Sequence, residues 1–82
     1  MITILYLAKL ADLLGRTEEQ LVWHKGNSDD LLKLLRERDA VYAEALSANN
    51  VYKIALNNAI VHGTVDINAG DTVAFLPPVT GG

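Results

Sequence analysis

Residues 2–8 alternate. Ile2, Ile4 and Tyr6 fall on one side and Thr3, Leu5 and Leu7 on the other, which is the period of a β-strand. Both sides are largely apolar, so the strand is expected to be central, or to present its second face to a partner. Residues 9–14 carry Leu10, Leu13 and Leu14 at helical spacing, and Gly15 is a natural stop. Residues 17–24 place Leu21 and Trp23 on one face and read as a second strand; Lys25-Gly26-Asn27 reads as a turn. Asn27 or Ser28 then caps the clearest helix, with Asp29 and Asp30 in a first turn where the macrodipole favours negative charge. Leu31, Leu34 and Leu35 form its predicted buried stripe, and Lys33, Arg36 and Glu37 its wet face. A shorter helix is predicted next, turning Val41, Ala45 and Leu46 inwards until Asn49-Asn50 breaks it.

Residues 51–57 alternate again, with Tyr52, Ile54 and Leu56 together. Asn57-Asn58 is a tight turn into residues 59–62, which predicts a hairpin. Residues 67–71 read as a turn, and residues 72–76 as the last strand. This order suits a mixed five-stranded sheet packed on one main helix, a two-layer α+β fold. The second face of such a sheet has no layer to cover it. Leu5 and Leu7 must then meet water or a protein, and an exposed apolar patch on a small domain marks an interaction site. Phe75 joins that patch only if its side chain points outward, and a slip of one residue in register reverses it.

After the last strand the character of the chain changes. Pro77 and Pro78 fix φ and lack an N–H, so no ladder continues through them. A globular domain over residues 1–76 is therefore expected to release residues 77–82 as a stiff, extended arm, reaching roughly 20 Å and mobile where it is not bound. Gly81-Gly82 has no Cβ and passes through gaps that other dipeptides cannot. Read as the true end, Gly82 offers a free α-carboxylate, ionised at neutral pH and a poor acyl electrophile until activated. An ordinary frayed terminus is the plainer reading. The proline brake, the extended arm and the bare Gly-Gly together favour a group built to enter a partner's active site.

Composition narrows the setting. Eighty-two residues make one domain with one modest core. No apolar run spans a bilayer and no leader pattern follows Met1, so a cytoplasmic protein is expected, with no membrane partner. The net charge of −3 argues against nucleic acid. Cysteine is absent, which removes disulfides, thiolate nucleophiles and cysteine-ligated metals together.

Conventional catalytic signals are weak. His24 and His62 have no companions at ligand spacing and read as structural or surface residues, so no metal site is expected. Asp29-Asp30 reads as dipole compensation, Ser28 and Ser47 lack a triad context, and Trp23 reads as core.

Residues 70–82, Gly-Asp-Thr-Val-Ala-Phe-Leu-Pro-Pro-Val-Thr-Gly-Gly, resemble the end of the small, sulfur-carrier subunits of molybdopterin synthase. The opening strand, Leu13-Leu14-Gly15 and the helix capped near Asn27 also fall where that family has them; the stretch between about residues 18 and 50 is only compatible. The family shares the ubiquitin-like β-grasp fold, which agrees with the element order above.

The resemblance implies a covalent co-substrate and no enzyme by itself. A ubiquitin-activating-like adenylyltransferase, using ATP and magnesium, would join AMP to the Gly82 carboxylate. A cysteine desulfurase relay would then leave a thiocarboxylate there, a 1-thioglycine, with no permanently bound cofactor. The arm, through Pro77, Pro78, Val79, Thr80 and Gly81, would enter the large subunit in an assembly of two small and two large chains. Catalytic groups would lie on that subunit, where sulfur passes to cyclic pyranopterin monophosphate to build the dithiolene. Phe75, Leu5 and Leu7 would bind the partner. Alternatives are a carrier for thiamine or tRNA thiolation, a ubiquitin-like modifier of lysines, and a module whose tail docks by its carboxylate.

Overall fold

The alternation at the start of the chain becomes β1 (Ile2–Tyr6), with Ile2, Ile4 and Tyr6 buried and the intervening residues partly exposed. A computed structural model of the chain describes residues 1–47, 50–51 and 53–78. β1 pairs antiparallel with β2 (Glu18–Leu21) on one side and parallel with β7 (Thr72–Leu76) on the other. β7 pairs antiparallel with β4 (Lys53–Leu56), which forms a hairpin with β5 (Ala59–Val61). The strand order is β2-β1-β7-β4-β5, so the chain's first and last strands are neighbours in the middle of the sheet. This is the expected ubiquitin-like β-grasp, a mixed five-stranded sheet.

Local chemistry sets the element ends. Helix α1 (Lys9–Leu14) stops at Gly15, whose φ of 73° is left-handed and whose N–H reaches the Ala11 carbonyl at 2.8 Å. Helix α2 (Ser28–Arg36) starts at Asn27 with a reciprocal cap. The Asp30 N–H donates to Asn27 Oδ1 at 2.8 Å and the Asn27 N–H to Asp30 Oδ2 at 3.0 Å, an arrangement worth about 1 kcal/mol. Helix α3 (Ala40–Ala45) is capped by Asp39, whose carboxylate accepts from the Tyr42 N–H. At the β4–β5 turn Asn57 and Asn58 both have positive φ, as a two-residue hairpin of this twist requires. The Asn57 side chain then ties that turn to the start of β7, donating to Asp71 and accepting from the Thr72 N–H.

The core lies between the inner sheet face and the helices. Leu31 and Leu35 from α2, Leu10 from α1, and Tyr42 and Leu46 from the α3 region close over Ile2, Ile4, Tyr6, Val73 and Phe75. Three expectations are corrected here. The stripe of α2 is Ser28, Leu31, Leu32 and Leu35, an i, i+3, i+4, i+7 set, and Leu34 is 45% exposed. Ser28 hid this phase because it is polar; its hydroxyl is satisfied inside by the Val65 N–H at 3.1 Å. Arg36 accordingly leaves the wet face, and its Nε donates to the Leu46 carbonyl at 2.7 Å. In α3 the buried set is Tyr42, Ala45 and Leu46, while Val41 is exposed.

The segment Lys25–Asn27, expected as a turn, is strand β3. It pairs with β6 (Asp66–Asn68), which overlaps the start of the stretch 67–71 also read as a turn, to form a separate two-stranded sheet. Trp23 organises this corner. Its indole N–H donates to the Ile67 carbonyl at 3.0 Å, and a Cβ at Gly26 would sit 2.7 Å from its ring. Only glycine lets β3 lie this close to the ring. Strands of three residues are too short to show a period in sequence. Asn49 and Tyr52, also assigned to elements from sequence, lie outside the described residues.

Candidate functional site

The sheet register decides which residues share the uncovered face. Leu5 is opposite Ala74, Ala74 is opposite Ala55, and Ala55 is opposite Ile60. These four side chains form one apolar row across β1, β7, β4 and β5, on the side away from the helices. Glu18, opposite Leu5, ends the row with a charge. One step towards the arm, Leu76 lies opposite Lys53 on the same face. The Leu7 N–H donates to the Phe75 carbonyl at 3.3 Å, so the β1–β7 pairing runs one step past β1. Leu7 is 40% exposed and Ile60 47% exposed.

Phe75 is not part of this face. It lies opposite both Tyr6 and Ile54, is 0% exposed, and stacks on the Tyr6 ring with centroids 6.1 Å apart. Phe75 is therefore a core residue, and the expected grouping with Leu5 and Leu7 is corrected. The pleat puts Phe75 in phase with Tyr6 and Val73, and its neighbours Ala74 and Leu76 in phase with Leu5. Leu76 takes the place assigned to Phe75. Ala55, Ile60 and Ala74 were missed because the pairing that brings them together is long-range, and an Ala or Ile in a strand carries no sign of which face is covered.

The central position of β7 gives the arm its root. Beyond Leu76, Pro77 and Pro78 leave the ladder while still half-buried. Val79, Thr80, Gly81 and Gly82, on which the expectations of an extended, mobile arm and a reactive carboxylate fall, lie outside the described residues.

The other candidate groups are accounted for locally. Asp30 is in the α2 cap, and Asp29 accepts from the Thr64 hydroxyl at 2.8 Å. His24 and His62 are exposed, and Trp23 is core. Among the described residues no three His, Asp or Glu side chains converge as metal ligands. No described helix is long and apolar enough to cross a membrane.

One polar cluster had no signal in the sequence. Glu19 is the inward residue of β2 opposite Ile4, and its side chain is only 8% exposed. It accepts from the Tyr6 hydroxyl at 2.7 Å, the Tyr42 hydroxyl at 3.2 Å and Arg38 at 2.8 Å, with Arg16 at 3.4 Å. Arg38 also lies 4.7 Å over the Tyr42 ring. The cluster fastens the turn after α2 to β2. Burial alone would raise the Glu19 pKa, but the Tyr6 and Arg38 hydrogen bonds and the Arg38 charge outweigh it and hold the carboxyl below its ordinary value of 4.5. Burial, and then the bond to Glu19, pushes the Tyr6 hydroxyl far up.

A carboxylate depressed in the folded state contributes stability above its unfolded pKa, and that contribution is lost as pH falls through the folded value. Urea midpoints of the native chain should therefore fall as pH drops below about 4.5. Glu19→Gln should cost roughly 1.5–3 kcal/mol at neutral pH, where charge-assisted bonds are lost. It should also flatten the acid limb. A residual limb is expected from Asp71, whose carboxyl is held low by the Asn57 amide and the Asn68 N–H. An unchanged acid limb in Glu19→Gln would count against this assignment.

Comparison with known proteins extends this picture. A model of the ThiS family matches residues 4–82. The chain is 28% identical, over 82 residues, to the molybdopterin synthase sulfur carrier subunit of Haemophilus influenzae, with 100% of both chains covered. A solved chain from Pyrococcus furiosus described as a molybdopterin converting factor, subunit 1, superposes with a TM-score of 0.72. That match has 24% identity and covers 95% of this chain and 97% of that one, a likeness of fold.

Proposed function

This chain belongs to the ThiS family, and on that premise we propose that it is the sulfur carrier subunit of a molybdopterin synthase, working in the cytoplasm. The observation that carries the reading is the end-to-end match to the Haemophilus influenzae carrier subunit. The geometry supports it. A rigid central strand delivers Pro77 and Pro78 beside an apolar face that has no layer of its own to cover it. A partner that closes on the row of Leu5, Ala74, Ala55 and Ile60 would thereby position the arm.

The chemistry resides at Gly82. Its carboxylate oxygen attacks the α-phosphorus of ATP on an adenylating enzyme and displaces pyrophosphate. The acyl-adenylate now has a good leaving group. Sulfur supplied at the level of sulfide adds to the carbonyl and expels AMP, which leaves a thiocarboxylate. In the large subunit that sulfur attacks a side-chain carbon of the pterin precursor and displaces an oxygen substituent, which leaves as phosphate ester oxygen or as water. A second water hydrolyses the resulting thioester, which leaves the sulfur on the pterin and regenerates the Gly82 carboxylate. Two such cycles supply the two sulfurs of a dithiolene. The absence of cysteine fits, since no thiol on the carrier competes for the activated carbonyl.

Intact mass spectrometry of the chain isolated from cells tests the loading. A fraction is expected with one oxygen replaced by sulfur, and tandem fragmentation should place the change on Gly82. Loaded chain mixed with a large subunit and cyclic pyranopterin monophosphate should lose that sulfur stoichiometrically. Loading on any other residue, or sulfur retained under those conditions, would overturn the proposal.

A further inference from the structure

On the helical side of the sheet, α2 and the β4–β5 hairpin leave an open groove of about 310 Å³. Its floor is apolar, made by Leu32 of α2 with Ile54 and Val61 of the hairpin. Its rim carries Arg36, Lys53 and His62. The chain has ten acidic and seven basic residues, yet among the described residues no acidic side chain lines this groove. Arg36 is the centre of it. The guanidinium is held in place by its Nε, which donates to the Leu46 carbonyl at 2.7 Å. Arg36 makes no ion pair among the described residues, although it is half-buried. A fixed guanidinium beside an apolar floor presents its terminal nitrogens as a fork, and that fork matches a carboxylate. Lys53 also lines the groove, and it lies opposite Leu76, one residue before the arm begins.

The geometry points to this groove as a docking site for an acidic segment of a partner protein, with one carboxylate on Arg36 and an adjoining apolar side chain on the Leu32–Ile54–Val61 floor. The inference stands apart from the sulfur-carrier reading, since it concerns residues remote from Gly82 in sequence and needs no loaded terminus. Charge complementarity selects the occupant. On a chain of net charge −3, a groove with the Arg36 guanidinium and no acidic side chain among its described lining attracts a negative group locally. The volume is near the lower end of the roughly 300–1,000 Å³ of ligand pockets. That suits one or two side chains of a peptide better than a cofactor. The edge strand β5 lines the groove through Val61, and Lys53, paired with Leu76, brings it within one strand of the arm's root. A partner that takes the arm would then have a second hold on the same molecule.

The test is an amide NMR titration of the full chain with a blocked tetrapeptide of alternating leucine and glutamate. Shift changes are expected at Arg36 Nε and at the amides of Val61, His62 and Gly63. The matching leucine–glutamine peptide should bind roughly tenfold more weakly or worse, for want of the charge-assisted pair. His62→Glu, a change at an exposed position, should weaken the acidic peptide several-fold with unchanged melting. Arg36→Gln should abolish its binding, with melting followed separately because Nε also holds the Leu46 carbonyl. Four results would overturn the inference: no response of the groove to millimolar acidic peptide, equal affinity for the glutamine peptide, the same response to inorganic phosphate alone, or concentration-dependent shifts without peptide, which would make the occupant a second copy of the chain.

Discussion

Removing Gly82 should abolish sulfur transfer and leave the melting temperature unchanged. Among the described residues every buried core residue lies at or before Phe75, and no described residue of the arm belongs to the core. The described core is therefore complete without Gly82. The chemistry loses its reacting atom. In the shortened chain the carboxylate moves to Gly81 and falls short by one residue, about 3.5 Å of extended chain. A displacement of only ~1 Å can cost about a hundredfold in a preorganised site. Transfer should accordingly drop to background in a single-turnover assay with the large subunit. One residue added after Gly82 should do equal damage, because the carboxylate is then locked in a peptide bond and cannot be adenylated. A truncated chain that still transfers sulfur at the native rate would overturn the carrier proposal. A truncated chain that melts markedly lower would show that the arm packs on the domain.

Much of the fold was legible because local and global signals agree along the sheet. The alternation of Ile2, Ile4 and Tyr6, the Asn27 cap and the Asn57-Asn58 turn each specify one conformation, and the tertiary structure keeps all three. The sequence misled where polarity and burial part company. Ser28 is a buried polar residue in the helix stripe, and reading it as a cap shifted the stripe onto Leu34. Glu19 lies on an inner face, and nothing near it in sequence announces Tyr6, Tyr42 and Arg38 as partners. β3 and β6 are defined by Trp23 and Gly26 meeting Ile67 across the chain, a contact no local period encodes. At the candidate site, the arm could be read from Pro77-Pro78 and Gly81-Gly82, whereas the face beside it depends on register among four strands.

That register makes the second large prediction. Phe75→Ala should lower stability by about 3–5 kcal/mol, the usual cost of emptying a fully buried aromatic site. Phe75 stacks on Tyr6 and faces Ile54, so the cavity would open in the middle of the sheet's inner layer. Small domains hold only about 5–15 kcal/mol in total, and each kcal/mol moves the melting point of a 60–100-residue domain by roughly 4–8 °C. A fall of about 12 °C or more is expected. Leu76→Ala provides the contrast one residue along. Its side chain lies on the outward face opposite Lys53, so melting should change little. Binding to the large subunit should weaken by about one to two decades, if the face buries Leu76 for roughly 1.5–3 kcal/mol. The two substitutions therefore read opposite faces of one strand. If Phe75→Ala kept the native denaturation midpoint but lost the partner, the register of β7 against β1 and β4 would be off by one residue. The apolar row would then consist of the residues assigned here to the core.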